Sequence, residues 1–256
     1  MSRTLPETAR LALACLDLTS LNDDDTDATV DVLCARAAGP FGAPAALCVW
    51  PRLAARARAR APAGVAVAAV ANFPDGGTDI ERALRDTAQI VAAGAQEVDL
   101  VLPWRALRDG DAAAAAALLR AVRRACTGQR LKVILETGEL KEPALIEQAA
   151  RLALAEGADF LKTSTGKTPV GATPEAADTM LAVIAADPLA RDRVGFKAAG
   201  GIRRVAEAAP YLDLVERHLG PGALGPARLR FGASALLGDI EAVLGGPPAG
   251  PTAGTY

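Results

Sequence analysis

The stretch EVDLVLP, residues 97–103, is a short and nearly continuous apolar run with an acid at its centre. Runs of this length, bounded by turn residues, read as strands buried on both faces. Seven others flank it, at 11–18, 45–50, 65–73, 131–137, 160–165, 195–201 and 229–234. Most lie roughly thirty residues apart, the size of a strand–helix unit. Helix signals fill the gaps. Thr78 and Glu81 form a capping box for a helix through Ala93 that Gly94 closes. Asp111 caps an alanine-rich helix ending near Cys126. Glu142-Pro143 and Thr173-Pro174 open two more, the first stopped by Gly157 and the second running to about Ala186.

Alternating strands and helices with apolar strands predict a parallel sheet covered on both faces. Eight such units in 256 residues point to a single-domain α/β fold, a (β/α)₈ TIM barrel spanning residues 1–244. An open doubly wound sheet is the competing architecture, but no GxGxxG follows the first run. The remaining GGPPAGPTAGTY, residues 245–256, reads as a flexible tail.

Composition narrows the function. Hydrophobic residues make up 51% of the chain, and the formal charge is −2 with acids and bases mixed, which speaks against a nucleic-acid or membrane-surface partner. Neither a spanning segment nor an export signal is evident, so a cytoplasmic protein is expected. Cys15, Cys34, Cys48 and Cys126 lie far apart without a CxxC, so no metal site is expected. The one histidine, His218, sits in a polar helical stretch and reads as a surface residue. Acid–base chemistry, if any, rests on Lys, Asp, Glu, Cys or Tyr.

Ionisable residues inside buried strands are costly unless paired or used. Asp99 shares a strand face with Glu97 and Val101; Lys162 shares one with Phe160 and Ser164; Lys197 lies between Phe196 and Ala198. Each alone reads as half of a structural ion pair. Together they suggest more, because Lys162 and Lys197 fall on the consecutive sixth and seventh runs, ~4.8 Å apart in a barrel. Two ammonium groups ~5 Å apart repel by ~3 kcal/mol at an effective dielectric of ~20, or roughly two pKa units. Desolvation acts in the same direction. One lysine then becomes a neutral nucleophile, and Asp99 supplies a carboxylate for proton transfer. Gly200-Gly201-Ile202-Arg203 and Gly232-Ala233-Ser234 follow the last two runs, where barrels often bind phosphate, and Lys167 adds a cation after run six. A glycine pair by itself is more often just a turn.

Several long, collinear segments resemble the deoxyribose-phosphate aldolases: LDLTSLNDDDTD at 16–27, LCVWPR at 47–52, ANFPDG at 71–76, EVDLVLPWRAL at 97–107, KVILETGELK at 132–141, DFLKTSTGK at 159–167, VGFKAAGGIR at 194–203 and RFGASALL at 230–237. The resemblance spans nearly the whole chain. It implies a class I aldolase of deoxyribonucleoside catabolism, cleaving 2-deoxy-D-ribose 5-phosphate through a lysine Schiff base. Lys162 corresponds to the Schiff-base lysine, Lys197 to the second lysine that lowers its pKa, and Asp99 to the proton-relay acid. Asp17, Thr19 and Cys48 match the substrate pocket, and Lys167, Gly200, Gly201, Arg203, Gly232 and Ser234 the phosphate region. Tyr256 corresponds to a C-terminal tyrosine that assists proton abstraction in some members; a tail end remote from the site is the alternative. Ala235 replaces a serine of some members, and Ala198 a common proline. No cofactor or metal is implied; the partners are small phosphorylated sugars and aldehydes, and a homo-oligomer, dimer or tetramer, is expected. A Schiff-base aldolase for a longer phosphorylated sugar and a non-catalytic sugar-phosphate binder are the alternative functions.

Overall fold

The computed structural model describes residues 3–245. Tyr256 and the rest of the tail beyond Gly245 lie outside the described residues. Gly245 itself, placed by sequence in the tail, is the last residue of the helix Leu236–Gly245.

Eight strands form a closed parallel barrel in chain order: β1 Leu16–Thr19, β2 Ala46–Val49, β3 Ala66–Ala71, β4 Glu97–Val101, β5 Arg130–Ile134, β6 Phe160–Lys162, β7 Gly195–Ala199 and β8 Leu229–Ala233. β8 pairs with β1, so no sheet edge is left open. Nearly every strand residue is buried, as expected where helices cover the outer face and side chains fill the interior. Seven runs correspond to strands at their expected places. The first does not: residues 11–14 complete the helix Leu5–Ala14, and the chain then turns into β1. A continuous apolar run has no period to separate helix from strand. The deciding signal lies upstream, where Thr4 and Glu7 form a reciprocal capping box.

The helices follow their local signals with one shift. Asp79, not Thr78, caps the helix Ile80–Ala92, its carboxylate accepting from Arg82 N at 3.0 Å. Asp111 caps Ala112–Ala125, and Thr173 caps Pro174–Ala186. Among the described residues, no helix is long and apolar enough to cross a membrane. The four cysteines are buried and unpaired. His218 is partly covered, its Nε2 2.8 Å from Asp178 on the neighbouring helix.

The strand period of two sorts the barrel. Val98 and Leu100 point out to the helices, whereas Glu97 and Asp99 point to the barrel axis, where they meet side chains from β5 to β8. The interior of this barrel is thus a charged layer enclosed by an apolar wall.

Candidate active site

β5, β6, β7 and β8 each send one base into the barrel: Lys132, Lys162, Lys197 and Arg230. β1 and β4 send three acids: Asp17, Glu97 and Asp99. All seven are nearly or wholly buried. Register places Lys132 beside Asp99, and Lys197 between Lys162 and Arg230.

Lys132 Nζ reaches Glu97 Oε2 at 2.5 Å, Asp99 Oδ1 at 2.8 Å and Asp17 Oδ2 at 3.3 Å. Lys197 Nζ lies 2.5 Å from Asp17 Oδ2 and 2.8 Å from Asp99 Oδ2. Arg230 spans Asp17 Oδ1 at 2.6 Å and Glu97 Oε1 at 2.8 Å. Lys162 Nζ has a single carboxylate oxygen, Asp99 Oδ2, at 2.8 Å, and shares it with Lys197.

These unequal partnerships set the direction in which each base is shifted. Uncompensated charge in a protein interior costs several kcal/mol. Among the buried groups three carboxylates face four bases, one more than they balance, and Arg130, half-exposed at the start of β5 with its guanidinium 2.8 Å from Glu97 Oε1, adds to that excess. Burial acts most strongly on Lys162 and lowers its pKa; Asp99 pulls it back up, Lys197 pushes it down again, and the net shift is downward. Burial would lower Lys132 and Lys197 too, but Asp17 and Asp99 outweigh it, with Glu97 adding to the effect on Lys132, and both are raised. Arg230 is raised in the same way by Asp17 and Glu97. Lys162 is therefore the interior base that gives up its proton most readily, and desolvation rather than the neighbouring cation is the largest cause.

Asp99 is more constrained than a free relay acid. Burial would raise its pKa, yet Lys132, Lys162 and Lys197 together hold it well below the usual carboxylate range. Its two oxygens are taken by those three lysine Nζ donors. It can pass protons between the lysines it bridges, but it has no contact with the solvent-facing cleft.

That cleft, of about 310 Å³, lies at the C-terminal ends of the strands, the usual place for a barrel site. Of the seven buried charged residues, Lys162 alone lines it. Thr19, Lys167, Gly200, Gly201, Arg203, Gly232 and Ser234 line it too, joined by Ser20, Asn22, Thr165 and Gly166. Asp17 and Cys48, expected in the pocket, are both 0% exposed and lie beneath its floor. Asp17 is a counter-ion of Lys132, Lys197 and Arg230, and Cys48 Sγ sits 3.9 Å from Asp99 Oδ2. Burial keeps that thiol protonated by raising its pKa.

Two glycines have steric reasons to be there. Gly200 adopts φ +87°, and a Cβ there would come 3.0 Å from Gly171 Cα and 3.3 Å from Gly166 Cα. Gly232 leaves space for the Lys197 side chain, whose Cε would lie 3.0 Å from an added Cβ. The latter glycine supports the ion network as well as forming the cleft wall.

The residues missed in the sequence are Lys132, Arg230 and Glu136. Lys132 stands inside an apolar run like Lys162 does, and that anomaly was its signal. Arg230 opens the run leading to the glycine loop. Glu136 gave a weaker signal, a lone acid at a strand end; it is buried at φ 58° and binds the loop after β6.

A model of the DeoC/LacD family aldolases matches residues 11–236. The deoxyribose-phosphate aldolase of Agrobacterium fabrum strain C58 is 48% identical over 252 residues, covering 97% of this chain and 96% of that protein. Among solved structures, an apo-form candidate deoxyribose-phosphate aldolase of Toxoplasma gondii ME49 superposes with a TM-score of 0.85 at 26% identity, covering 94% of this chain and 97% of that one. One of Coccidioides immitis gives 0.78 at 30% identity, covering 94% and 89%. A barrel with one depressed lysine at the floor of its cleft is thus found in a chain that belongs to the DeoC/LacD aldolase family, together with the deoxyribose-phosphate aldolases.

Proposed function

We propose that this chain is a class I aldolase that reversibly cleaves 2-deoxy-D-ribose 5-phosphate to D-glyceraldehyde 3-phosphate and acetaldehyde, in deoxyribonucleoside catabolism in the cytoplasm. The observation that carries the reading is Lys162: it is the one interior amine with a lowered pKa and the one that faces the cleft. The name of the 48% identical relative supports the choice of substrate.

In this reading the Lys162 nitrogen attacks the C1 aldehyde to give a carbinolamine. Loss of water, with protons exchanged through the bridging Asp99 and Lys197, leaves an iminium. The C2–C3 bond then breaks, because only that electron pair can reach the iminium nitrogen through C1; the next bond along, C3–C4, is not conjugated to it. The C3 hydroxyl gives up its proton to water in the cleft, and glyceraldehyde 3-phosphate leaves. Protonation of the enamine carbon and hydrolysis release acetaldehyde and regenerate the amine. Lys167, Arg203, Ser234 and the Gly200-Gly201 turn hold the phosphate and so orient the breaking bond. Burial, aided by the protonated Lys197, keeps the Lys162 pKa down between turnovers.

The test is a cleavage assay with 2-deoxy-D-ribose 5-phosphate beside a longer phosphorylated ketose, followed by borohydride trapping with acetaldehyde and peptide mass mapping. The expected result is turnover of the deoxy sugar and an ethyl group on Lys162. Turnover of the longer sugar alone, or an adduct on another lysine, would overturn the reading. A homo-oligomer, dimer or tetramer, is part of the same proposal, and light scattering of the purified protein decides it.

A further inference from the structure

Glu136 makes no salt bridge to the ion network, although Lys162 is near enough to pull its pKa down, and it does not line the cleft. It follows β5 and adopts a left-handed backbone conformation, φ 58° and ψ 57°. That region suits glycine or asparagine, and another residue is held there only where its surroundings over-determine it. Here the side chain supplies the reason. Glu136 Oε2 accepts from Thr165 Oγ1 at 2.6 Å, and Oε1 accepts from Thr165 N at 3.3 Å and Thr168 Oγ1 at 3.2 Å. The Thr165 hydroxyl, its proton committed to the carboxylate, in turn accepts from Lys167 N at 3.0 Å. Burial raises the pKa of this carboxyl group while the threonine donors pull against the shift.

The consequence is a chain of contacts from a buried acid to a cleft wall. Thr165, Gly166 and Lys167 form that wall, and Gly166 and Lys167 are exposed. An exposed loop ordinarily loses conformational freedom when a ligand binds, and prior fixation removes that cost. We propose that Glu136 is a positioning residue that pre-forms the Thr165–Lys167 wall for the anionic end of the substrate. It thereby sets the preference for phosphorylated over phosphate-free sugars without touching either. The inference rests on the phosphate-binding reading given above.

The test compares 2-deoxy-D-ribose 5-phosphate with 2-deoxy-D-ribose, and adds calorimetric titration with inorganic phosphate. In Glu136→Ala, the ratio of kcat/KM for the two sugars should fall about tenfold, mainly through KM of the phosphorylated one, and the phosphate Kd should rise by about the same factor. Glu136→Gln, which keeps an acceptor, should lie between that variant and the wild type. Thr168→Val, which removes one of the ties outside the cleft, should shift both quantities in the same direction. Should the alanine variant fail to fold, these two carry the test. An equal loss for both sugars with unchanged phosphate binding would reduce Glu136 to a support of the fold and overturn the inference. If wild type cleaves neither sugar but phosphate binding still weakens in the variants, the positioning role stands and the aldolase reading fails instead.

Discussion

The interior of the barrel and the cleft above it are built on opposite principles. Below, Lys132 is wholly buried and in contact with three carboxylates; at the junction, Lys162 is almost as buried and in contact with one. The first is raised in pKa and the second lowered. Burial alone therefore does not make a lysine nucleophilic. The number of acids within reach decides whether desolvation is overcome, and the sealed layer provides every cation but one with a surplus of partners. The cleft has no such layer: its walls are loop residues and glycines, with Lys167 and Arg203 facing solvent.

Four substitutions break or sharpen that contrast. The largest effect is expected from Lys162→Ala, which removes the junction between the two regions. Cleavage should fall by about 10⁴-fold or more, with the fold intact by circular dichroism. Retention of more than a few per cent of activity would move the chemistry elsewhere.

Lys132→Met attacks the sealed layer. It leaves three buried acids with Lys197, Arg230 and the half-exposed Arg130 as their remaining permanent cations, so about 3–5 kcal/mol of stability should be lost in urea denaturation. The same loss of a cation should draw a proton onto Lys162. Its active form is the neutral amine, so activity rises as pH climbs through its pKa. A raised pKa moves that acid limb to higher pH.

Lys197→Leu should move the acid limb the same way by roughly two pH units, since a cation sharing one carboxylate oxygen with Lys162 is removed. The pair of variants separates two causes. Direct repulsion alone would shift only the Lys197 variant, whereas charge balance shifts both.

The smallest effect should come from Glu97→Gln, and it has the opposite sign. Removing a negative charge that does not touch Lys162 should lower its pKa by less than the Lys197 change raises it, and carry the acid limb to lower pH. An alkaline shift would contradict the balance of charges.

Much of this design could be read from the chain. Apolar runs marked seven strands directly, and strand parity placed Glu97 and Asp99 on one shared face. Lys162 and Lys197 stood out as lysines within apolar strands, and β6–β7 adjacency put them together. What escaped depends on quantities with no one-dimensional trace. Lys132 pairs with Asp99 through the β4–β5 register, which a sequence leaves free to slide by two residues without changing any residue's face. Asp17 and Cys48 were placed in the pocket by resemblance alone, which carries no height along the barrel axis, and both lie beneath its floor. Glu136 gave only the weak signal of a lone acid at a strand end, because its partners, Thr165 and Thr168, lie beyond two helices and β6. The helix Leu5–Ala14 was hidden within an apolar run whose first residues could be either kind of element.

The most direct test is the pH dependence of reductive trapping, read at individual lysines by peptide mass spectrometry. With acetaldehyde and cyanoborohydride in short pulses, the rate at Lys162 should rise to a plateau with a midpoint below the ordinary lysine value of 10.5. Lys132 and Lys197 should stay unmodified across the same range. A midpoint for Lys162 at or above 10.5, or faster trapping at either of the other two, would contradict the assignment of the surplus base.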